Sequence, residues 1–177
     1  MIVFSAMRIP EKAADTATAL SDILRERTAG SFPRRENYHI TVHYFGEVNE
    51  RAVRSLDHIL KTHPLPDMTL RFDHLLRFHG RQGDQIVYAC RDCPELQAWR
   101  KELSTALRKA RFRFDEKEYR PHITLVRGKQ GRIEIDDIPV PAAEFKPEEP
   151  ILLESLQIKG KRIYRPILPG QEGNYDD

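Results

Sequence analysis

Two histidine–threonine pairs are the residues of this chain whose type and spacing best suit chemistry. They occur in the segments His39-Ile40-Thr41-Val42 and His122-Ile123-Thr124-Leu125, which lie 83 residues apart in a chain of 177 residues. Side chains two residues apart on a β-strand project from the same face, so each segment would present an imidazole beside a hydroxyl. Two imidazoles facing one phosphate can act as a general acid and a general base.

Other residues recur at the same offset of 83, which indicates a duplication. They are Arg8 with Arg91, Leu20 with Leu103, and Leu24 with Leu107. In each copy an apolar run precedes a Pro-Glu pair, an amphipathic helical pattern and the His-x-Thr strand. The pattern predicts two β–α–β half-units. For either histidine alone, capping or packing a strand is the alternative.

The chain is predicted to form one domain over residues 1–168, with half-units of roughly 1–80 and 81–168. Residues 169–177 are expected to be a flexible acidic tail. Helices are predicted at 10–27, 49–62 and 94–110. Strands are predicted at 2–8, 37–45, 68–78, 84–90, 118–127, 131–135, 139–145, 151–159 and 163–168.

Composition places the chain among globular proteins, with 40% hydrophobic and 32% charged residues. The sequence has no apolar run of membrane-spanning length and no signal-peptide pattern, so we predict a cytoplasmic location and no membrane partner. The net charge is only +2. Basic residues nevertheless surround the motifs and would attract a polyanion, unless neighbouring acidic residues pair with them. They are Arg34, Arg35, Arg111, Arg113, Lys117, Arg120, Arg127, Lys129 and Arg132.

The two cysteines form the segment Cys90-Arg91-Asp92-Cys93. A C-x-x-C pair could bind zinc or act in redox chemistry, and His74 and His79 could complete a zinc site. The spacing of these histidines matches no strong template, and Cys93 stands where a helix begins. We therefore predict two reduced structural cysteines and no metal site.

Both motifs extend into longer segments that resemble one known family. The first runs from Asn37 to Glu47 and closes on Tyr-Phe-Gly-Glu, and the second is Tyr119-Arg120-Pro121 followed by His-Ile-Thr-Leu-Val-Arg127. Together they resemble the 2H phosphoesterase superfamily, and within it the RNA 2′,3′-cyclic phosphodiesterases, which are 2′–5′ RNA ligase-like proteins. The resemblance implies an α+β, bilobal fold in which two pseudo-two-fold-related lobes place antiparallel sheets along a central cleft. It implies no cofactor and no metal.

The resemblance also implies a role for each motif residue. His39 would be the proton donor and His122 the proton acceptor, whereas local symmetry alone leaves the two roles open. Thr41, Thr124 and Arg127 would bind the phosphate. The implied reaction is hydrolysis of an RNA terminal 2′,3′-cyclic phosphate to a 2′-phosphomonoester, and the implied partners are RNA 3′ ends or small cyclic nucleotides. A monomer is expected because nothing in the sequence demands a partner subunit.

These residue types suit that reaction. Imidazole has an ordinary pKa of about 6.5, so one histidine can be neutral while another is charged near pH 7. Threonine hydroxyls can donate hydrogen bonds to the phosphate oxygens on which charge develops. A strained cyclic phosphodiester then needs only an activated water and a protonated leaving oxygen.

Four further residues are possible accessory residues: His43, Phe45, Tyr119 and Arg120. His43 shares the face of His39 and Thr41 if the strand stays regular, and could flank the substrate, but packing or facing solvent is the expected role. Phe45, Tyr119 and Phe4 are candidates for stacking on a base.

Three alternatives to the implied function stay open. The same chemistry could act on another 2′-linked nucleotide, such as a 2′–5′ oligonucleotide or ADP-ribose cyclic phosphate. The enzyme could catalyse the reverse reaction, 2′–5′ RNA ligation. The chain could instead be a non-catalytic module that binds RNA ends.

Overall fold

The computed structural model describes residues 1–80, 83–128 and 132–167. The helices in these ranges are α1 (Glu11–Arg25), α2 (Glu50–Lys61) and α3 (Pro94–Lys109). The strands are β1 (Ile2–Arg8), β2 (Gly30–Ser31), β3 (His39–Glu47), β4 (Leu70–His79), β5 (Asp84–Cys90), β6 (His122–Gly128), β7 (Ala143–Phe145), β8 (Ile151–Ile158) and β9 (Lys161–Pro166). The predicted tail at 169–177 lies outside the described residues.

The strands form two antiparallel sheets, which confirms the predicted α+β class. The first sheet has the order β3-β1-β8-β9, and the second has the order β2-β6-β5-β4-β7. The two motif strands, β3 and β6, therefore belong to different sheets and contact each other. Each sheet takes strands from both halves of the sequence, because β4 joins the second sheet while β8 and β9 join the first. The division into half-units near residue 80 stays a prediction.

Local sequence signals explain where two helices begin. The Asn49 side chain accepts a hydrogen bond of 2.9 Å from the Ala52 backbone and so caps the start of α2. Pro94 stands in the first turn of α3, where its missing N–H costs no hydrogen bond.

The helices cover the sheets through their apolar faces. α1 packs against β6 and β7, whereas α2 contacts α3 and β8. Leu20 and Leu24 of α1 and Leu103 and Leu107 of α3 are fully buried in the main core. Of the helices described, none has both the length and the apolar character needed to cross a bilayer.

The predicted strand at 131–135 is wrong over its described residues, 132–135, which are irregular. Ile133 and Ile135 are buried, and their alternation suggested a strand. Side chains bind the backbone of this segment: Asp84 accepts from the Ile133 N–H at 3.3 Å, and Arg77 donates to the Ile133 carbonyl. The segment thus packs against the core without a neighbouring strand.

Candidate active site

The two motif histidines are held by the same backbone contact. His39 Nδ1 lies 2.7 Å from the carbonyl oxygen of Asn37, and His122 Nδ1 lies 2.6 Å from the carbonyl oxygen of Arg120. A carbonyl oxygen can only accept, so Nδ1 carries the proton in both rings. The other nitrogen, Nε2, is therefore the one that can gain or lose a proton during a reaction.

The two threonines differ in their hydrogen-bond partners. Thr41 Oγ1 lies 2.9 Å from Nε2 of His39. Thr124 Oγ1 instead accepts a hydrogen bond of 2.9 Å from the side-chain amide of Gln85 on β5. Because the amide occupies a lone pair of this oxygen, the Thr124 hydroxyl proton remains available for donation to a ligand.

The two motif strands meet at a cavity of ≈ 600 Å³, here called the motif cleft. Thr41 lines the motif cleft from one strand and His122 from the other, and Gln85 also belongs to the lining. The His39 ring lines a different cavity of ≈ 420 Å³ and contacts Thr41, which lines the motif cleft. Tyr119 also ties the halves together, because its hydroxyl donates to the Thr41 carbonyl at 2.8 Å.

Arg127 lies near both histidines. Burial lowers the pKa of His39, and the charges of Arg127 and His122 lower it further. Burial also lowers the pKa of His122, and Arg127 again adds to the effect. An anion placed among these three groups would favour their charged forms and oppose this lowering.

A β-bulge follows the threonine in each motif strand. In β3, Ala6 pairs with Thr41 and Ser5 pairs with His43, so Val42 is the extra residue. In β6, Leu125 is the extra residue, because Thr124 and Val126 pair with consecutive residues of β5. A bulge places two neighbouring side chains toward the interior and reverses the alternation beyond it.

The bulge turns His43 away from the candidate site, which corrects its possible accessory role and agrees with the expected packing role. His43 is only 1% exposed, and its Nε2 lies 2.8 Å from Ser104 Oγ. Burial lowers the pKa of His43 to about 3, with smaller effects from Arg100 and Arg108. The expectation that His43 shares the face of His39 held only for a regular strand, and the strand is not regular here.

The bulge also moves Phe45 away from the cleft and brings Tyr44 to it. Phe45 packs against Phe112 at a ring distance of 6.1 Å and lines neither the motif cleft nor the His39 cavity. Tyr44 is 53% exposed and lines the motif cleft. Phe45 is therefore the wrong candidate for base stacking. The aromatic side chain that this part of β3 exposes is Tyr44.

The other accessory residues lie beside the site in different ways. Tyr119 lines the motif cleft, and the Arg100 guanidinium covers its ring at 4.3 Å. Arg120 lines the motif cleft too, pairs with Glu118 at 3.3 Å, and supplies the carbonyl that holds His122. Phe4 is buried, and its ring contacts the His39 ring at 5.1 Å.

The family model described as the 2′-5′ RNA ligase superfamily matches residues 9–152, which is most of the chain and includes both motifs. The chain belongs to the 2′-5′ RNA ligase superfamily. The resemblance to the 2H phosphoesterases that the motifs indicated is thereby confirmed. Among curated protein sequences no significant match was found.

Solved structures of the same fold agree with membership of this superfamily. The chain superposes on E. coli LigT complexed with 3′-AMP with a TM-score of 0.82, at 19% identity over 94% of this chain and 95% of LigT. The LigT apo form gives a TM-score of 0.77 at 23% identity over 94% of each chain. The protein TT0787 of Thermus thermophilus gives 0.76 at 18% identity, covering 95% of this chain and 96% of that one.

Four side chains of this superfamily member were missed by sequence reasoning, namely Tyr44, Phe78, Gln85 and Tyr164. Tyr44 had a usable signal, because it stands 83 residues before Arg127 and thus at the equivalent position of the duplication. Tyr164 and Phe78 meet His39 and His122, respectively, edge-on at 5.1 Å. They come from strands outside the repeated motifs, where no sequence signal marked them.

The cysteines of this superfamily member lie apart from the motif cleft. Cys90 and Cys93 are both free, and burial raises the pKa of the Cys90 thiol to about 12. Cys93 is buried against Met68. Within the described ranges, no group of three or more His, Cys, Asp or Glu side chains could hold a metal ion.

Proposed function

We propose that this protein hydrolyses the terminal 2′,3′-cyclic phosphate of RNA to a 2′-phosphomonoester by acid–base catalysis with two histidines. The observation that carries the proposal is the pair of His–Thr units, each with Nδ1 bound to a carbonyl, whose strands meet with Arg127 close to both rings. Membership of the superfamily supports phosphoester chemistry. Its solved relative LigT has been crystallised with 3′-AMP, NADP+ and ATP, which supports a nucleotide substrate.

Each side chain then has a defined task. His122 Nε2 accepts a proton from water as the water oxygen attacks phosphorus, and the bond from phosphorus to the 3′ oxygen breaks. The 3′ oxygen takes the proton from His39 Nε2, and the phosphate stays on the 2′ oxygen. Thr124 donates to a non-bridging oxygen while Gln85 holds its oxygen in place. Arg127 offsets the negative charge.

The assignment of acid and base follows the resemblance to the 2H phosphoesterases, and the contacts of both histidines are compatible with it. The Thr41 hydroxyl, 2.9 Å from Nε2, can donate to a neutral His39 or accept from a protonated one, so it holds the ring in either state. His122 has its Nδ1 bound at 2.6 Å and lines the motif cleft, where a water can reach Nε2. The cytoplasmic location, the monomeric state and the absence of a metal requirement stay part of the proposal.

The test is an assay with an RNA oligonucleotide that ends in a 2′,3′-cyclic phosphate, in the presence of EDTA. Chromatography against standards should identify a 2′-phosphate product. His39→Ala and His122→Ala should each lower kcat/KM by about 10²–10⁴-fold. His58→Ala, on the exposed side of α2, is the matched control and should leave it unchanged.

Three results would overturn parts of the proposal. No turnover by the folded protein would remove the enzymatic function, and binding of the RNA without turnover would indicate an RNA-end-binding module. Turnover that is undiminished in both histidine variants would exclude the two-histidine mechanism. Faster turnover of a 2′–5′ linked oligonucleotide or of ADP-ribose cyclic phosphate would reassign the substrate.

A further inference from the structure

A second cavity of ≈ 600 Å³ opens beside the motif cleft. It lies between the residues that follow β2 and the β8–β9 hairpin, and we call it the β9 groove. Its charged and aromatic lining consists of Phe32, Arg34, Tyr44, Arg127, Lys161, Arg162 and Tyr164. A cavity of this size falls in the range of ~300–1,000 Å³ that is usual for small-molecule and cofactor sites.

The charge of the β9 groove is of one sign. Four basic residues line it and no acidic residue does, whereas the lining of the motif cleft mixes basic residues with Asp115 and Glu118. The Arg162 side chain is held toward this surface by a hydrogen bond of 3.1 Å to Ser155. In the described part of the chain, Lys161 has no ion-pair partner within 4.0 Å. Of the four basic residues, Arg34 pairs with Glu36. The remaining positive charge makes the groove a favourable place for an anion.

The β9 groove leads directly away from the catalytic residues. Tyr44 lines both the groove and the motif cleft. Arg127 lines the groove and lies close enough to His39 and His122 to lower the pKa of each. Tyr164, on the groove wall, meets the His39 ring at 5.1 Å. A chain whose terminal phosphate sits between the histidines could thus continue into the groove.

Positive charge beside aromatic rings suits one chemical class of ligand, single-stranded RNA. Proteins that bind single strands combine a basic groove for the backbone with aromatic rings on which bases stack. We propose that the β9 groove binds the phosphodiester and the base of the nucleotide on the 5′ side of the cyclic phosphate. This inference rests on the proposed function, and it makes the protein selective for RNA ends over cyclic mononucleotides.

The test compares adenosine 2′,3′-cyclic phosphate, which has no upstream phosphodiester, with an adenylyl dinucleotide that ends in the same cyclic phosphate. The variant combines Lys161→Ala with Arg162→Ala, both of which lie outside the pair of His–Thr units. We expect kcat/KM for the dinucleotide to fall about tenfold or more, because charge-assisted hydrogen bonds are lost. Turnover of the cyclic mononucleotide should stay within about twofold.

The matched control removes one charge from the same hairpin. Lys159 lies in the β8–β9 turn but not in the groove lining, and its φ of 49° is one that asparagine tolerates. Lys159→Asn should leave both substrates unaffected. In the double variant, kcat/KM for the dinucleotide should also depend less on salt concentration than in the unsubstituted protein. The salt dependence for the cyclic mononucleotide should not change.

Equal losses on both substrates would overturn the inference, because the groove would then hold the terminal nucleotide itself. Unchanged rates on both substrates would overturn it as well. If the unsubstituted protein turns over neither substrate, the proposed function fails separately. In that case, RNA binding to the groove is tested by fluorescence anisotropy of a fluorescein-labelled trinucleotide that ends in the cyclic phosphate. The inference requires that the double variant bind this trinucleotide more weakly than Lys159→Asn does.

Discussion

The two motif strands, β3 and β6, share a framework but differ in what surrounds it. In both, a carbonyl two residues before the histidine binds Nδ1, and a bulge follows the threonine. Beyond the bulge, β3 has Tyr44 at the position where β6 has Arg127, and both side chains line the β9 groove.

The neighbours of the threonines differ as well. Thr41 contacts its own histidine, whereas Thr124 is held by Gln85. The duplication thus accounts for the common chemistry of the two imidazoles. Residues outside the motifs make the two halves unequal, and unequal halves are what a division into acid and base requires.

The largest effect should come from separating the two histidine roles with a chemically activated substrate. A 3′-deoxynucleoside 2′-(4-nitrophenyl phosphate) has a leaving group that needs no proton. His39→Ala should lower kcat/KM for the RNA cyclic phosphate about 10²–10⁴-fold. The same variant should lower kcat/KM for the activated substrate much less. His122→Ala should lose a similar factor on both, since water must still be activated. If the activated substrate restores the rate of His122→Ala and not that of His39→Ala, the acid and base roles of the two histidines are reversed.

The next effect tests the contrast between Arg127 and Tyr44. Arg127 lowers the pKa of both histidines, so Arg127→Met should raise both values and move the bell-shaped profile of kcat/KM to higher pH. The rate should also fall about 10–100-fold, because a charged contact to the phosphate is lost. Tyr44→Arg adds a cation at the equivalent position and should move the profile to lower pH. Profiles that stay in place in both variants would contradict the proposed proximity of these side chains.

Gln85 should have a smaller effect, confined to the second half of the site. Gln85→Leu keeps much of the volume but removes the donor to Thr124, and we expect kcat to fall about tenfold with little change in KM. Gln85→Glu should lower kcat further, because a carboxylate would accept a hydrogen bond from the Thr124 hydroxyl and repel the phosphate. A purely structural role predicts instead a lower melting temperature with unchanged kcat in the remaining folded protein.

The smallest effect on activity is expected at His43, below the bulge of β3. Its equivalent in β6 is Val126, so His43→Val with Ser104→Ala makes the two halves alike. Activity should stay within about threefold, because His43 is buried away from the motif cleft.

Stability should respond to the same double substitution. The folded pKa of His43, about 3, is below the ordinary value, so its stabilisation is present above about pH 6.5 and lost as the pH falls toward 3. Urea unfolding of the variant should depend less steeply on pH in this window, by roughly 1.4 kcal/mol per pH unit. An unchanged pH dependence would contradict a neutral buried His43.

Sequence reasoning found the motif residues because period-2 alternation and the offset of 83 are properties of the chain itself. The same offset marked Leu20, Leu24, Leu103 and Leu107, which are buried in the core. Sequence reasoning misplaced His43 and Phe45, since a bulge changes the face of every residue beyond it and leaves no simple mark in the sequence.

Residues that come from other strands could not be found in this way. Phe78 and Tyr164 reach the histidines, and Gln85 reaches Thr124, only through sheet pairing and packing. Gly30 is similar: a Cβ there would stand 2.5 Å from the Arg127 carbonyl oxygen, a close approach that only the folded pairing of β2 with β6 reveals. No strand was predicted between the helix at 10–27 and the strand at 37–45, where β2 lies.

The most direct test of the account follows the two imidazoles while one phosphate is bound. Nitrogen-15 NMR titrations of the histidine rings, assigned with His39→Gln and His122→Gln, would be recorded with and without saturating adenosine 2′-monophosphate. We expect the pKa of both rings to rise on binding, because one anion stabilises both charged forms. A rise in only one ring, or in neither at saturation, would contradict the claim that His39 and His122 share a phosphate.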